Sequence, residues 1–268
     1  MSETLNLYDN VYGNYERSAE AAVRRETYGE DIGQSSWMTA KEWLGFADQL
    51  QVLATSNVLE VGSGSGGPAV HLAASRGCCV TGVDINQNGI RNAERLALLR
   101  GVADRVTFLV ADASQPLPFS AATFDVVVSN DAMCHIANRL EVLCDWHRVV
   151  RPHGRILFTD AMVLTGLVSH EELALRSSIG FYLFVPPGEN ERLIGQAGFT
   201  LLGTEDVTAG AEAIAQRWHD AREHHRAALE DREGVANFSG LQRFLACVQR
   251  LSGERRLSRY CYLAERAR

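Results

Sequence analysis

One stretch, VLEVGSGSGGPAVHLAASRG at residues 58–77, limits what this chain can fold into more than any other. It begins as an apolar strand, passes through glycines at positions 62, 64, 66 and 67, and continues as a helix. Glycine adopts backbone conformations that other residues avoid, and it lets other groups approach the backbone closely. The stretch therefore predicts a strand–turn–helix unit of an α/β sheet, with a ligand at the turn.

Short β-branched runs alternate with helical segments from residue 57 onwards. The runs are apolar at consecutive positions, which predicts parallel strands covered on both faces. Regular alternation of this kind favours an α/β fold with a doubly wound sheet and right-handed crossovers. The predicted strands are residues 57–61, 79–84, 106–112, 124–130 and 155–160, followed by 199–207 and 256–266.

Three segments lie outside this alternation and are predicted to cover a ligand site. They are an N-terminal helical lid at 1–56, a crossover at 161–190, and a helical insertion at about 208–253. Thr39 with Glu42 has the spacing of a helix capping box, and the same pattern recurs at Ser169 with Glu172. We therefore expect a main domain at 57–268 that carries the helical insertion and follows the lid.

The composition excludes several classes of function. The chain has 26 basic and 33 acidic residues, a net charge of −7, and no basic run that could follow a phosphate backbone. Neither a secretory signal nor a membrane-spanning apolar stretch is predicted, and the six cysteines form no C-x-x-C pair. We expect a cytoplasmic protein that acts on a small molecule, without nucleic-acid or membrane partners and without a metal. The oligomeric state stays open.

Acidic residues follow three of the predicted strands, at Asp84, Asp112 and Asp160. In a doubly wound sheet, ligands bind outside the carboxyl ends of the strands. Asp84 lies 22 residues after Gly62, the spacing at which a carboxylate accepts hydrogen bonds from ribose hydroxyls. Nicotinamide and adenosylmethionine cofactors share this feature, so the spacing alone does not choose between them.

A longer sequence pattern distinguishes between these two cofactors. Glu60 and the glycines spell E-x-G-x-G-x-G, and VADASQPLPFSAATFDVVVSNDAMCHI follows at residues 110–136. In this order and spacing the chain resembles the class I S-adenosylmethionine-dependent methyltransferases. Within them it is similar to the small-molecule branch of sarcosine/dimethylglycine, phosphoethanolamine and sugar methyltransferases. The resemblance covers residues 57–160 and resumes at the last two strands. It implies a seven-stranded Rossmann-like sheet whose last strand is antiparallel.

The resemblance also implies S-adenosylmethionine as the cofactor and gives roles to particular residues. The backbone of Gly62 and Gly64 would line the amino-acid end of the cofactor, with Glu60 orienting that loop. Asp84 would bind the ribose. The remaining cofactor contacts that it implies are adenine packing by Ile85, hydrogen bonds from Asp112 and the Ala113 backbone, and proximity of Asn130 to the sulfonium.

The predicted lids supply the other candidates. By analogy with related enzymes, Gln34 and Trp37 would contact the cofactor from the N-terminal segment. The crossover contains three aromatic residues that are candidates for the wall of an acceptor pocket, namely Phe181, Tyr182 and Phe184. Arg176 and Arg192 are both candidates to neutralise an acceptor carboxylate, and the sequence does not place either.

Catalysis of methyl transfer requires alignment and exclusion of water, and a general base only when the nucleophile begins protonated. His135 titrates near neutral pH and lies beyond the fourth strand. Asp131 precedes it and Asp160 ends the next strand, so a His–Asp pair across neighbouring strand ends is the predicted base.

The leading hypothesis is methyl transfer to a nitrogen or oxygen atom of a small metabolite. Lyases, cyclases and cyclopropane-forming enzymes use the same sheet, and the motifs do not exclude them. A nicotinamide oxidoreductase would need a catalytic Ser/Tyr/Lys set, but no Y-x-x-x-K occurs in the matching region. A non-enzymatic binding module is the remaining class.

Overall fold

The fold is seen in a computed structural model that describes residues 18–267 of the chain. The seven strands are β1 (Asn57–Val61), β2 (Cys79–Asp84), β3 (Val106–Val110), β4 (Phe124–Ser129), β5 (Val150–Leu164), β6 (Phe199–Asp206) and β7 (Leu257–Arg266). The helices are α1 (Ser18–Tyr28), α2 (Ala40–Gln49), α3 (Gly67–Arg76), α4 (Gln87–Leu99), α5 (Arg139–Val149), α6 (His170–Arg176), α7 (Glu189–Gln196), α8 (Thr208–His224), α9 (Arg226–Glu233) and α10 (Val235–Gly253). A short 3₁₀ turn spans Met133–His135.

The seven strands form one sheet in the order β3-β2-β1-β4-β5-β7-β6. The pairs from β3 to β5 are parallel, whereas β7 pairs antiparallel with both β5 and β6. The predicted fold class, including the antiparallel last strand, is confirmed. The carboxyl ends of β1, β2 and β4 consequently meet at one edge of the sheet.

Two predicted strands differ from the structure by more than one residue at an end. The third strand ends at Val110 rather than at residue 112, because the Asp112 carboxylate accepts a hydrogen bond from the Ser114 amide and turns the chain. The fifth strand runs from Val150 to Leu164, well beyond the predicted 155–160. It begins early because Val150 pairs with Phe124 of β4, and it continues to Leu164 because β7 pairs along it as far as that residue.

The N-terminal segment does not behave as a single lid. Helix α2 belongs to the core on one face of the sheet, where Trp43 is fully buried and its indole nitrogen donates to the Pro68 carbonyl at 2.9 Å. Helix α1 packs instead on the helical insertion, and Arg217 of α8 donates to the Thr27 carbonyl at 2.6 Å. Only α1 and the connection after it can cover a site from this segment. Residues 1–17 of the predicted lid lie outside the described residues.

The insertion between β6 and β7 consists of α8, α9 and α10, in agreement with the predicted helical insertion. Rings and aliphatic side chains from α8 and α10 form a separate cluster with Tyr28 and Trp37. This cluster makes a helical layer above the carboxyl edge of the sheet.

Of the two predicted capping boxes, one is complete. Ser169 and Glu172 exchange both hydrogen bonds at the start of α6. Thr39 accepts from the Glu42 amide at the start of α2, but the Glu42 carboxylate pairs with Arg259 on β7 instead.

No helix of the described chain is long and apolar enough to cross a membrane.

Candidate active site

A cavity of about 820 Å³ lies between the carboxyl edge of the sheet and the helical layer. We call its sheet side the strand-end wall, formed by Glu60, Gly62, Ser63, Gly64, Asp84, Ile85, Asp112, Ala113 and Asn130. We call its other side the helical wall, formed by Trp37, Arg176, Ile179, Tyr182, Trp218 and Phe244. The volume falls in the range of about 300–1,000 Å³ that is typical of small-molecule sites.

The glycine loop takes conformations that only glycine adopts without strain. Gly62, Gly64 and Gly66 have φ angles of +76°, +53° and +75°. A Cβ atom at Gly62 would lie 2.5 Å from that of Ala132, and one at Gly66 would lie 2.4 Å from that of Ala93. The glycines therefore permit close packing against the protein itself as well as the approach of a ligand.

Asp84 fixes this loop against β2. Its Oδ2 atom accepts from the Gly64 amide at 2.8 Å, and Oδ1 accepts from the Asn86 amide at 2.8 Å. Burial raises the pKa of its carboxyl, while the two amides act in the opposite direction. A carboxylate oxygen accepts two hydrogen bonds, so both oxygens keep acceptor capacity for hydroxyl groups in the cavity.

Four buried polar atoms without partners lie at the end of the cavity near Glu60. Within the described chain, Glu60 Oε2, Ser63 Oγ and both polar atoms of the Asn130 amide have no partner at full hydrogen-bond geometry, although the Asn130 side chain lies close enough to Glu60 to oppose the rise in its pKa. Glu60 is 2% exposed, and its burial, with a smaller effect of the Asp84 charge, raises its pKa to about 8. Unpaired buried polar groups cost free energy, so this arrangement fits a ligand with donor and acceptor groups. The ammonium and carboxylate of an amino acid meet that requirement.

The far end of the strand-end wall has a different chemistry. Ile85, directly after Asp84, lines the cavity and is 69% exposed. Asp112 and Ala113 lie beside it, beyond the end of β3. An apolar surface next to a carboxylate fits a flat ring that bears an amino group. The strand-end wall as a whole therefore matches the amino-acid, ribose and adenine parts of S-adenosylmethionine.

His135 lies on the cavity between the two walls. Its Nδ1 atom is 2.7 Å from the Phe181 carbonyl oxygen, and its ring contacts Tyr182 at 4.6 Å between centroids. Because a carbonyl only accepts, Nδ1 carries the hydrogen and Nε2 is the basic nitrogen. Burial lowers the pKa of the ring, so His135 is neutral at pH 7.

The predicted His135–Asp131 pair is not formed. Asp131 Oδ1 accepts from Arg259 and from the Thr159 hydroxyl, both at 2.8 Å, while Oδ2 accepts from the Trp37 amide at 2.9 Å. Asp131 lines the cavity but all its partners are protein groups, so it positions Trp37 and does not act as a base.

Asp160 is also not where the sequence predicted. It is fully buried behind the cavity wall, where Oδ2 accepts from Arg139 at 2.6 Å and from the Asn190 amide at 3.0 Å. The Met162 amide donates to Oδ1 at 2.9 Å. An ion-paired carboxylate without access to the cavity cannot take a proton from a substrate, so its catalytic prediction is corrected.

Two further predicted contacts do not reach the cavity. The Gln34 side chain is buried and closes a local turn, accepting from the Ile32 amide at 3.0 Å and donating to the Glu30 carbonyl at 3.2 Å. Phe184 packs behind the cavity against the cluster that contains Met162 and Leu251. Of the other lid candidates, Trp37, Phe181 and Tyr182 do line the cavity.

Sequence reasoning missed several residues of the helical wall. Trp218 and Phe244 come from α8 and α10, and their only signal was their place in the helical insertion. Of the two candidate arginines, Arg176 lines the cavity, whereas Arg192 is exposed and pairs with Glu189 at 2.7 Å. Among residues 18–267, no group of three or more His, Cys, Asp or Glu side chains could hold a metal ion.

Comparisons with known proteins agree with this chemistry. A family profile described as a methyltransferase domain matches residues 59–158. The 27-O-demethylrifamycin SV methyltransferase of Amycolatopsis mediterranei is 31% identical over 230 residues, which cover 78% of this chain and 84% of that protein.

Two solved structures share the fold. Phosphoethanolamine N-methyltransferase 2 of Haemonchus contortus, in complex with S-adenosyl-L-methionine, has a TM-score of 0.80 at 20% identity, over 99% of this chain and 61% of that one. The [4+2]-cyclase SpnF has a TM-score of 0.77 at 21% identity, over 97% of this chain and 94% of that one.

Proposed function

This chain belongs to the class I S-adenosylmethionine-dependent methyltransferases, and we propose that it methylates an oxygen atom of a small metabolite held against the helical wall. An oxygen acceptor is favoured over nitrogen because the relative from Amycolatopsis is named for 27-O-demethylrifamycin SV. The bound cofactor supplies an electrophilic methyl group on a sulfonium cation.

In this proposal the strand-end wall holds the cofactor. Glu60 and Asn130 bind its amino-acid end through atoms that have no protein partner, and the Gly62–Gly64 backbone lines that end. Asp84 accepts from the ribose hydroxyls. Ile85, Asp112 and Ala113 hold the adenine at the other end of the wall.

His135 is the proposed general base, and its position is the observation that carries the proposal. A hydroxyl acceptor must lose its proton as the new bond forms, and the neutral ring offers Nε2 for that proton. The hydrogen bond from Nδ1 to Phe181 fixes this tautomer and stabilises the ring as it becomes charged. The aromatic side chains of the helical wall exclude water from the reacting atoms.

We further propose that the enzyme works in the cytoplasm. All six cysteines are unpaired thiols, as is usual for proteins of a reducing compartment.

Two measurements test the proposed function. Titration calorimetry should detect micromolar binding of S-adenosylmethionine and S-adenosylhomocysteine and no binding of NAD or NADP. Incubation with methyl-labelled cofactor and a metabolite extract should transfer the label to a small molecule. Consumption of the cofactor without a methylated product would favour a lyase or cyclase, and an absence of cofactor binding would refute the proposal.

A further inference from the structure

Arg176 stands apart from the other buried arginines. Four arginines of the described chain are buried, at positions 139, 176, 222 and 259. Three of them have a carboxylate partner: Arg139 pairs with Asp160, Arg222 with Glu233, and Arg259 with Asp131. Arg176 is 1% exposed, yet no carboxylate of the described chain pairs with it. Burying a cation without a counter-ion costs free energy. An unpaired buried cation is therefore expected where a bound ligand supplies the opposite charge.

The surroundings of Arg176 attract its charge but leave its hydrogen-bond donors unused. The guanidinium carbon lies 4.8 Å from the ring centroid of Tyr182, 4.9 Å from that of Phe244 and 5.8 Å from that of Trp37. The ring faces stabilise a cation but do not accept hydrogen bonds from its edge in the way that oxygen does. Two of its buried nitrogens, Nε and Nη1, have no hydrogen-bond partner in the described chain.

The nearby carboxylates are already engaged. Asp131 is held by Arg259, and Asp160 is held by Arg139, each at less than 3 Å. Arg176 itself lines the cavity, at the end of the short helix α6. Among the described residues no carboxylate pairs with Arg176, so the described chain leaves its charge to a molecule that enters the cavity.

We propose that Arg176 binds an ionised carboxylate on the acceptor, and that the apolar body of the acceptor packs against the aromatic side chains of the helical wall. The planar guanidinium edge matches the two oxygens of a carboxylate. Trp218 and Ile179 supply apolar surface in the same cavity beyond the rings that surround Arg176. This inference rests on the proposed function and adds the acceptor class, which is an aromatic or similarly flat organic acid.

The test uses naphthalene-2-carboxylate and its neutral amide as probes of equal shape. Each is titrated into the full-length enzyme saturated with S-adenosylhomocysteine, and binding is followed by the fluorescence of the tryptophans on the helical wall. We expect the wild type to bind the carboxylate at least tenfold more tightly than the amide. Arg176→Met should remove that preference and leave the affinity for the amide unchanged.

Two further variants make the test specific. Arg176→Lys keeps the charge but loses the planar fork, so it should retain part of the preference, and it carries the test if Arg176→Met does not fold. Arg192→Met removes an exposed arginine that pairs with Glu189, and it should behave as the wild type.

Equal affinity of the wild type for the two probes, absence of any probe binding, or an unchanged preference in Arg176→Met would overturn the inference. An equal loss of affinity for the carboxylate and the amide in a folded Arg176→Met would also overturn it. Failure of the proposed function has a different signature. In that case the wild type would not bind S-adenosylhomocysteine or would not transfer a methyl group.

Discussion

The two walls of the cavity are built in different ways. The strand-end wall comes from four short stretches, which lie at the carboxyl ends of β1, β2, β3 and β4. The helical wall is assembled from α6 and the connection after it, from α8 and α10, and from the connection after α1, which lie far apart in the chain. The first wall leaves Glu60 and Asn130 unpaired, and the second leaves Arg176 unpaired. The proposals above place the amino-acid end of the cofactor at the first set of unpaired groups and an acidic, apolar acceptor at the second.

The largest expected effect concerns His135, which lies between the walls. His135→Ala should lower kcat by about 10²–10⁴, because a hydroxyl acceptor then has no base. Cofactor affinity, measured by calorimetry, should change less than twofold because the strand-end wall is intact. The wild-type kcat should fall as pH drops below the pKa of His135, which lies below its usual value, and the variant should lack that dependence. An unchanged kcat would show that alignment alone suffices.

The next effect concerns the buried ion pairs that connect the two walls. Arg259 of β7 binds Asp131 and Glu42, and Asp131 in turn holds the Trp37 amide. Arg259→Met leaves buried carboxylates uncompensated and should reduce the free energy of unfolding by about 3–5 kcal/mol in urea denaturation. Arg176→Met is the matched control, since it breaks no ion pair and should cost far less. Equal losses in the two variants would contradict the difference drawn between these arginines.

A smaller effect isolates the strand-end wall. Asp84→Ala should weaken cofactor binding by roughly 1.5–3 kcal/mol, because the ribose hydroxyls lose an ionised acceptor. Binding of naphthalene-2-carboxylate to the helical wall of the same variant should be unaffected. Asp104→Ala, at a side chain that is 77% exposed, provides the control. Cofactor binding of wild-type strength by a folded Asp84→Ala would refute the ribose assignment.

The smallest effect is a pH dependence within the strand-end wall. The pKa of Glu60 is raised to about 8, so below that pH the carboxyl is protonated and binds an ammonium poorly. Cofactor affinity should therefore rise by up to about tenfold per pH unit from pH ~6 and level off above the pKa. Calorimetry at several pH values measures this rise. Glu60→Gln should bind weakly at every pH, and a rise that persists in it would assign the proton to another group.

Much of the strand-end wall could be predicted from the sequence because its contacts are local. The glycine loop, Asp84 and Asp112 each follow a strand that is apolar at consecutive positions, and parallel strands bring their carboxyl ends to one edge. The Ser169 capping box joins residues only three apart, and the structure contains it as predicted.

The helical wall and its charges could not be predicted, because long-range partners decide them. The sequence predicted Asp131 and Asp160 as candidate bases. In the structure Asp131 is neutralised by Arg259, which is 128 positions away, and Asp160 is neutralised by Arg139. The Gln34 side chain forms a hydrogen bond with the Ile32 amide of its own loop. Of the two candidate arginines, Arg176 lines the cavity and Arg192 does not. A sequence records which groups can ionise or donate. Packing alone determines which of them meet a partner in the protein and which are left for a ligand.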